Sequence, residues 1–172
     1  MLRNVVAALS QLPVNAVLTA GPACDDLKLE ANAHVLVVQS APHDAILRQA
    51  ALCITHCGHG TVMRALGAGV PILGMPMVRD QNDNAARIAW HGAGLRIAPD
   101  SAPEVIAGAA NLLLQNPSFQ VSARALGAEI RSELDPDRAC RLLEGSASSG
   151  PSATVVTERV NGHDCRQRLA DS

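Results

Sequence analysis

A chain of 172 residues, 48% hydrophobic and 17% charged, is long enough for one compact domain with a sizeable core and too short for two ordinary ones. Its 14 basic and 16 acidic residues leave a net charge of −2, and their scatter excludes both the basic stripe of a nucleic-acid binder and an acidic tail. Trp90 and Phe119 are the only aromatics, so stacking platforms cannot be a main theme and the core must be aliphatic.

The apolar residues Leu2, Val5, Val6, Leu9 and Leu12 recur at helical spacing until Pro13, which predicts a helix over residues 2–12. A short strand at 14–19, a loop at 20–33 with Gly21 and Pro22, and a buried Val- and Leu-rich strand at 34–39 follow. A helix at 42–51, with Pro42 in its permitted first turn, leads to an apolar strand at 52–55. Met63, Ala65 and Leu66 carry a helix over 61–68, and Gly67 and Gly69 end it before a strand at 71–75. Asp80 is a good cap for a helix reaching Trp90 and stopped by Gly92, after which 95–98 reads as the last strand. Ser101 and Glu104 form a capping box around Pro103. The helix it opens is carried by Val105, Ile106, Ala109, Leu112 and Leu113, with further helix to about residue 143. Alternating strands and helices with short connections predict right-handed βαβ units, hence an α/β domain over 1–144 whose parallel sheet is covered on both faces. Residues 145–172 are polar, Gly/Ser-rich and aperiodic, and read as a disordered tail.

Cys24, Cys53, Cys57, Cys140 and Cys165 are odd in number and contain no CxxC pair, which fits neither a disulfide framework nor a zinc ribbon. A reducing cytoplasm is the expected location. No run approaches the roughly 18 to 20 apolar residues of a membrane span.

The most informative stretch is Thr55-His56-Cys57-Gly58-His59-Gly60-Thr61, between a predicted strand and a predicted helix. Glycines 58 and 60 let the backbone turn and approach a ligand, and the first amides of the helix are unpaired. Such a loop suits a diphosphate, with Thr61 adding a hydroxyl, His56 a ring N–H and the helix dipole a preference for negative charge. A turn that merely redirects the chain has the same local features. A metal is not expected, because His56, Cys57 and His59 at one turn lack a clear fourth ligand. Cys57 as a nucleophile would need a base that the sequence does not identify.

Beyond the loop lie Gly69-Val70-Pro71-Ile72-Leu73-Gly74-Met75-Pro76 and Asp80-Gln81-Asn82-Asp83-Asn84-Ala85. The series THCGHGT, GAGVPILGMP, DQNDNA and HGAGL, in this order, resembles the donor-binding signature of the UDP-glycosyltransferase superfamily, including bacterial macrolide-type glycosyltransferases. The preceding SAPHDAIL resembles that superfamily's nucleobase segment, and the match runs from the opening helix to about residue 135. The resemblance implies the C-terminal, Rossmann-like half of a GT-B fold and a nucleotide sugar as donor, by default a UDP-sugar, with dTDP or GDP open. It places Ala41, Pro42 and His43 against the base, His56, Gly58, Gly60 and Thr61 at the diphosphate, and Asp80 with Gln81 on the sugar hydroxyls. Read without it, Asp80 is a helix cap, and Gln81 and Asn84 belong to an exposed helix face.

The resemblance also implies inverting hexosyl transfer to a small lipophilic acceptor without a metal, with no catalytic base in this chain. The base is a histidine of an N-terminal acceptor-binding domain or partner, so this half alone is expected to be inactive. Arg64 stands where many relatives have a ribose-binding Glu, and it cannot accept a hydrogen bond. Relatives also begin the domain with a strand ahead of the first helix. Its absence predicts a gap flanked by strands 14–19 and 52–55, compatible with a truncated frame, a remnant or a strand supplied by a partner. A glycosyltransferase fragment, a non-catalytic nucleotide-sugar-binding subunit and a degenerate remnant are the three readings this leaves.

Overall fold

The computed structural model describes residues 1–21 and 32–133, with 140, 141 and 144. The expected tail at 145–172 and most of the expected loop at 20–33 lie outside the described residues. Residues Met1–Ile130 form one compact unit. In chain order the elements are α1 (Leu2–Leu9), β1 (Ala16–Thr19), β2 (Val35–Val38), α2 (His43–Leu47), β3 (Cys53–Thr55), α3 (His59–Gly67), β4 (Ile72–Gly74), α4 (Gln81–Trp90), β5 (Gly94–Arg96), α5 (Pro103–Gln115) and α6 (Pro117–Glu133). The fold is α/β with parallel strands, as the alternation predicted.

The described strands divide into two sheets, β1-β2 and β3-β4-β5, all pairs parallel. β4 is central in the larger sheet, with Leu73 opposite Ile54 on one side and Leu95 on the other. Its alternation separates two cores. Leu73 and Met75 join Val5, Val6 and Ala8 of α1, Leu18 of β1, and Ile106, Ala107, Ala110 and Leu113 of α5. Ile72 joins Val62, Ala65 and Leu66 of α3, Ala85 and Ile88 of α4, and Ala123 of α6 on the opposite face.

β1 is hydrogen-bonded to β2 alone and β3 to β4 alone among the described residues. The amides of Ala16 and Ala20 point at the carbonyls of His34 and Val38, so those of Val17 and Thr19 face the other way. Among the described residues, β1 and β3 each keep one edge without a partner strand.

Several boundaries move for identifiable reasons. α1 ends at Leu9, not at residue 12, because the amides of Gln11 and Leu12 turn back onto Ala8 and Leu9 in tighter three-residue steps ahead of Pro13. The helix expected at 42–51 spans only His43–Leu47, with Leu47 its single buried residue, so little apolar face holds a longer one. The capping box does not form. Pro103 forces its predecessor Ala102 into the extended conformation and the N-cap position, which leaves Ser101 outside to donate to the Ala98 carbonyl at 2.8 Å. Gly92, at φ +64°, stops α4 as predicted.

Candidate functional site

β3 and β4 run parallel and deliver two consecutive loops to their carboxyl ends, the end at which open α/β sheets bind ligands. The loop after β3 carries His56, Gly58, Gly60 and Thr61, and the loop after β4 carries Asp80 and Gln81. Ala41, Pro42 and His43 follow β2 in the other sheet. A loose, exposed ion pair between Asp44 of α2 and Arg64 of α3, 3.7 Å apart, is what Arg64 makes of the position where a carboxylate was expected.

α3 begins at His59 with Gly58 as its N-cap, two residues before the predicted start at Thr61. Gly58 takes an extended conformation, φ −62° and ψ 137°, so the helix starts immediately after it. His59 and Gly60 thereby supply the leading amides, whereas the Thr61 amide already donates to the Gly58 carbonyl at 3.1 Å. Nothing lies within 4 Å of where a Cβ on Gly60 would stand, so the turn is open where a ligand would approach. A Cβ on Gly58 would lie 2.7 Å from Nε2 of His56, so the exposed imidazole rests over the Gly58 backbone.

Cys57 anchors this loop from below. It is fully buried in the left-handed region, φ +65°, a conformation rare for a side chain other than Asn or Asp. Its amide donates to Thr55 Oγ1 at 3.3 Å, and its thiol packs where Gly74 lacks a side chain, since a Cβ there would stand 2.6 Å from Sγ. Burial pushes the Cys57 thiol up to about 11, and burial followed by the neighbouring Cys57 pushes Cys53 to about 12. Both shifts disfavour the thiolate, which weighs against the nucleophile reading. No group of three His, Cys, Asp or Glu side chains among the described residues could hold a metal ion.

Asp80 occupies the N-cap position of α4 without a side-chain capping bond. Its Oδ2 accepts instead from Asn84 Nδ2 at 3.0 Å. Gln81 is not simply part of an exposed face: its Oε1 accepts from the amides of Met77 and Val78 at 2.9 and 3.1 Å, which leaves its NH2 to donate elsewhere. Arg79, immediately before this pair, is the second non-glycine in the left-handed region among the described residues, φ +57°. The left-handed residues Cys57 and Arg79 thus lie within or beside the two candidate site segments, where strained backbone often clusters. Sequence reasoning missed both, since neither residue type announces that conformation.

It also missed the start of α1, where Asn4 donates to the Ser101 carbonyl at 3.0 Å and an opening is lined by Met1 to Asn4 and Met77. Met77 follows β4, so α1 begins beside the same loops. Among the described residues no helix is long and apolar enough to cross a membrane.

Residues 3–145 match the family model "Erythromycin biosynthesis protein CIII-like, C-terminal domain". The elloramycin glycosyltransferase of Streptomyces olivaceus is 38% identical over 110 residues, which is 63% of this chain and 28% of that protein. The 4'-demethylrebeccamycin synthase of Lentzea aerocolonigenes is 31% identical over 83% of this chain and 34% of its own length. The chain therefore spans about a third of these curated relatives. Among solved structures, spinosyn rhamnosyltransferase complexed with thymidine diphosphate superposes with a TM-score of 0.74 at 32% identity, covering 83% of this chain and 40% of that one. The glycosyltransferase VinC in complex with dTDP gives 0.75 at 27% identity, covering 87% and 38%. The chain belongs to the family of C-terminal domains of macrolide-type GT-B glycosyltransferases.

Proposed function

We propose that residues 1–144 are a donor-binding domain that holds a pyrimidine nucleoside diphosphate sugar. The observation that carries this reading is the open, glycine-capped start of α3 at the carboxyl end of β3, whose His59 and Gly60 amides lead into a helix. The diphosphate lies on those amides, with His56 and the Thr61 hydroxyl as further donors. Ala41, Pro42 and His43 border the base largely through their backbone. Asp80 accepts from sugar hydroxyls through its second carboxylate oxygen, and Gln81 donates through its free NH2.

The chemistry that this arrangement serves is hexosyl transfer in which the nucleoside diphosphate departs. Helix amides and His56 stabilise the charge that grows on the leaving diphosphate, the kind of electrostatic contribution that often dominates catalysis. The acceptor and the base that deprotonates it belong to a further domain, in the same polypeptide or another, so this chain alone does not transfer sugar. The free thiols of half-buried Cys53 and buried Cys57 suit a reducing cytoplasm.

UDP is the default from the sequence motifs, while two structural neighbours were solved with thymidine diphosphate. Titration calorimetry with each nucleotide tests the reading. Saturable heat with either one supports it, and their ratio decides the base. No heat at millimolar concentrations of both, on folded protein, would falsify it.

A further inference from the structure

The residue that connects the two candidate loops is Asn84, one turn into α4. Its amide nitrogen carries two hydrogens, and both are engaged: Nδ2 donates to the Cys57 carbonyl at 3.0 Å and to Asp80 Oδ2 at 3.0 Å. Cys57 is the left-handed residue whose carbonyl leads into Gly58, the N-cap of α3. Asp80 follows the left-handed Arg79 and opens α4. One side chain thus fixes the peptide that aims the glycine loop and the rotamer of the carboxylate on the neighbouring loop. Replacing it by a group without two N–H donors would leave the Cys57 carbonyl without that partner and free the Asp80 carboxylate to turn.

We infer that Asn84 is a positioning residue that couples the diphosphate loop to Asp80 and thereby sets how much the sugar contributes to donor binding. The inference rests on the donor-site reading above and adds the residue through which the diphosphate and sugar subsites act together. With Oδ2 held by Asn84, Asp80 presents Oδ1 to the sugar in a fixed orientation, so less conformational freedom is lost when hydroxyls bind. A lone carboxylate at a helix start would rotate freely and bind the same hydroxyls more weakly.

The test uses the 172-residue chain and calorimetry with thymidine diphosphate and thymidine diphosphate glucose, or the uridine pair if that base binds better. The readout is the ratio of the two dissociation constants, which general loosening of the domain would leave in place. Asn84→Ala is expected to lower that ratio by at least about fivefold, and adding Asp80→Ala to it should change the ratio little further, because the two residues act as a unit. The isosteric Asn84→Asp, which loses the donors and sets a second carboxylate beside Asp80, should lower the ratio at least as far. It is read in the same way should the alanine variant unfold. An unchanged ratio in a folded Asn84 variant, or full additivity with Asp80→Ala, overturns the inference alone. A wild-type chain that binds nucleotide but gains nothing from the sugar also overturns it, whereas a folded wild-type chain that binds neither ligand overturns the donor-site reading itself.

Discussion

Every residue from 71 to 76 is buried in or beside the three-stranded sheet, whereas the two-stranded sheet leaves Val17 45% and Leu36 60% exposed. Both regions are written in the same aliphatic alphabet, so the difference lies in cover. β4 has a strand on each side and a packed core on each face. Among the described residues, β1 and β2 contribute Leu18 and Val35 to the buried set and keep an open edge. The better-covered half is the one that carries the glycine loop and Asp80, and close packing there serves a site whose groups must be held in place.

The comparison is broken most directly by truncating one leucine in each half. Leu73→Ala, fully buried on β4, is expected to cost about 2–5 kcal/mol. Leu36→Ala, on the outer face of β2, should stay within about 0.5 kcal/mol. Urea unfolding measures both, and similar losses would mean that the two-stranded sheet is covered after all.

A narrower prediction concerns the contact under the glycine loop. Gly74→Ala would bring a Cβ to 2.6 Å from Cys57 Sγ and 3.3 Å from Ala85 Cβ, an overpacking that costs about 1–3 kcal/mol. Combining it with Cys57→Ala removes the shorter contact, so the double variant should be more stable than the sum of the single effects predicts. Strict additivity would show that the thiol is not held against β4.

A pH dependence follows in the same half. The thiols of Cys53 and Cys57 are raised from the ordinary 9.0 to about 12 and about 11. Above pH 9 the unfolded chain releases those protons while the folded chain keeps them, so stability is fully present below pH 9 and declines as pH rises. The slope is up to about 1.4 kcal/mol per pH unit per thiol until each folded value is passed. Cys57→Ala should flatten the decline between pH 9 and 11. An equal slope without that thiol would place the alkaline loss elsewhere.

Most of this arrangement was legible in the chain because the signals were redundant. The alternation of apolar runs with glycine and proline stops located the described strands and the helices through α5, with only unspecified further helix beyond, and the loop from Thr55 to Thr61 stood out by its glycines. The buried character expected for 34–39 was only half correct. A run such as Val35-Leu36-Val37-Val38 cannot say whether both faces will find cover, and Leu36 did not. Polar residues were read individually and were therefore misjudged. Asp80 does stand at the N-cap of α4, but one of its carboxylate oxygens is held by Asn84 rather than by a capping amide, and Ser101, taken as a cap from its type, gives its hydroxyl to the Ala98 carbonyl. Asn84 itself looked like surface, since a bond to the carbonyl of Cys57, 27 residues away, has no local trace.

The central claim is that the leading end of α3 receives a diphosphate, and amide chemical-shift mapping of the labelled chain during titration with thymidine diphosphate addresses it at the atoms concerned. The account predicts that the largest perturbations fall on Gly58, His59, Gly60 and Thr61, with smaller ones at Ala41 and His43. A saturable response centred elsewhere, with those amides unmoved, would contradict it.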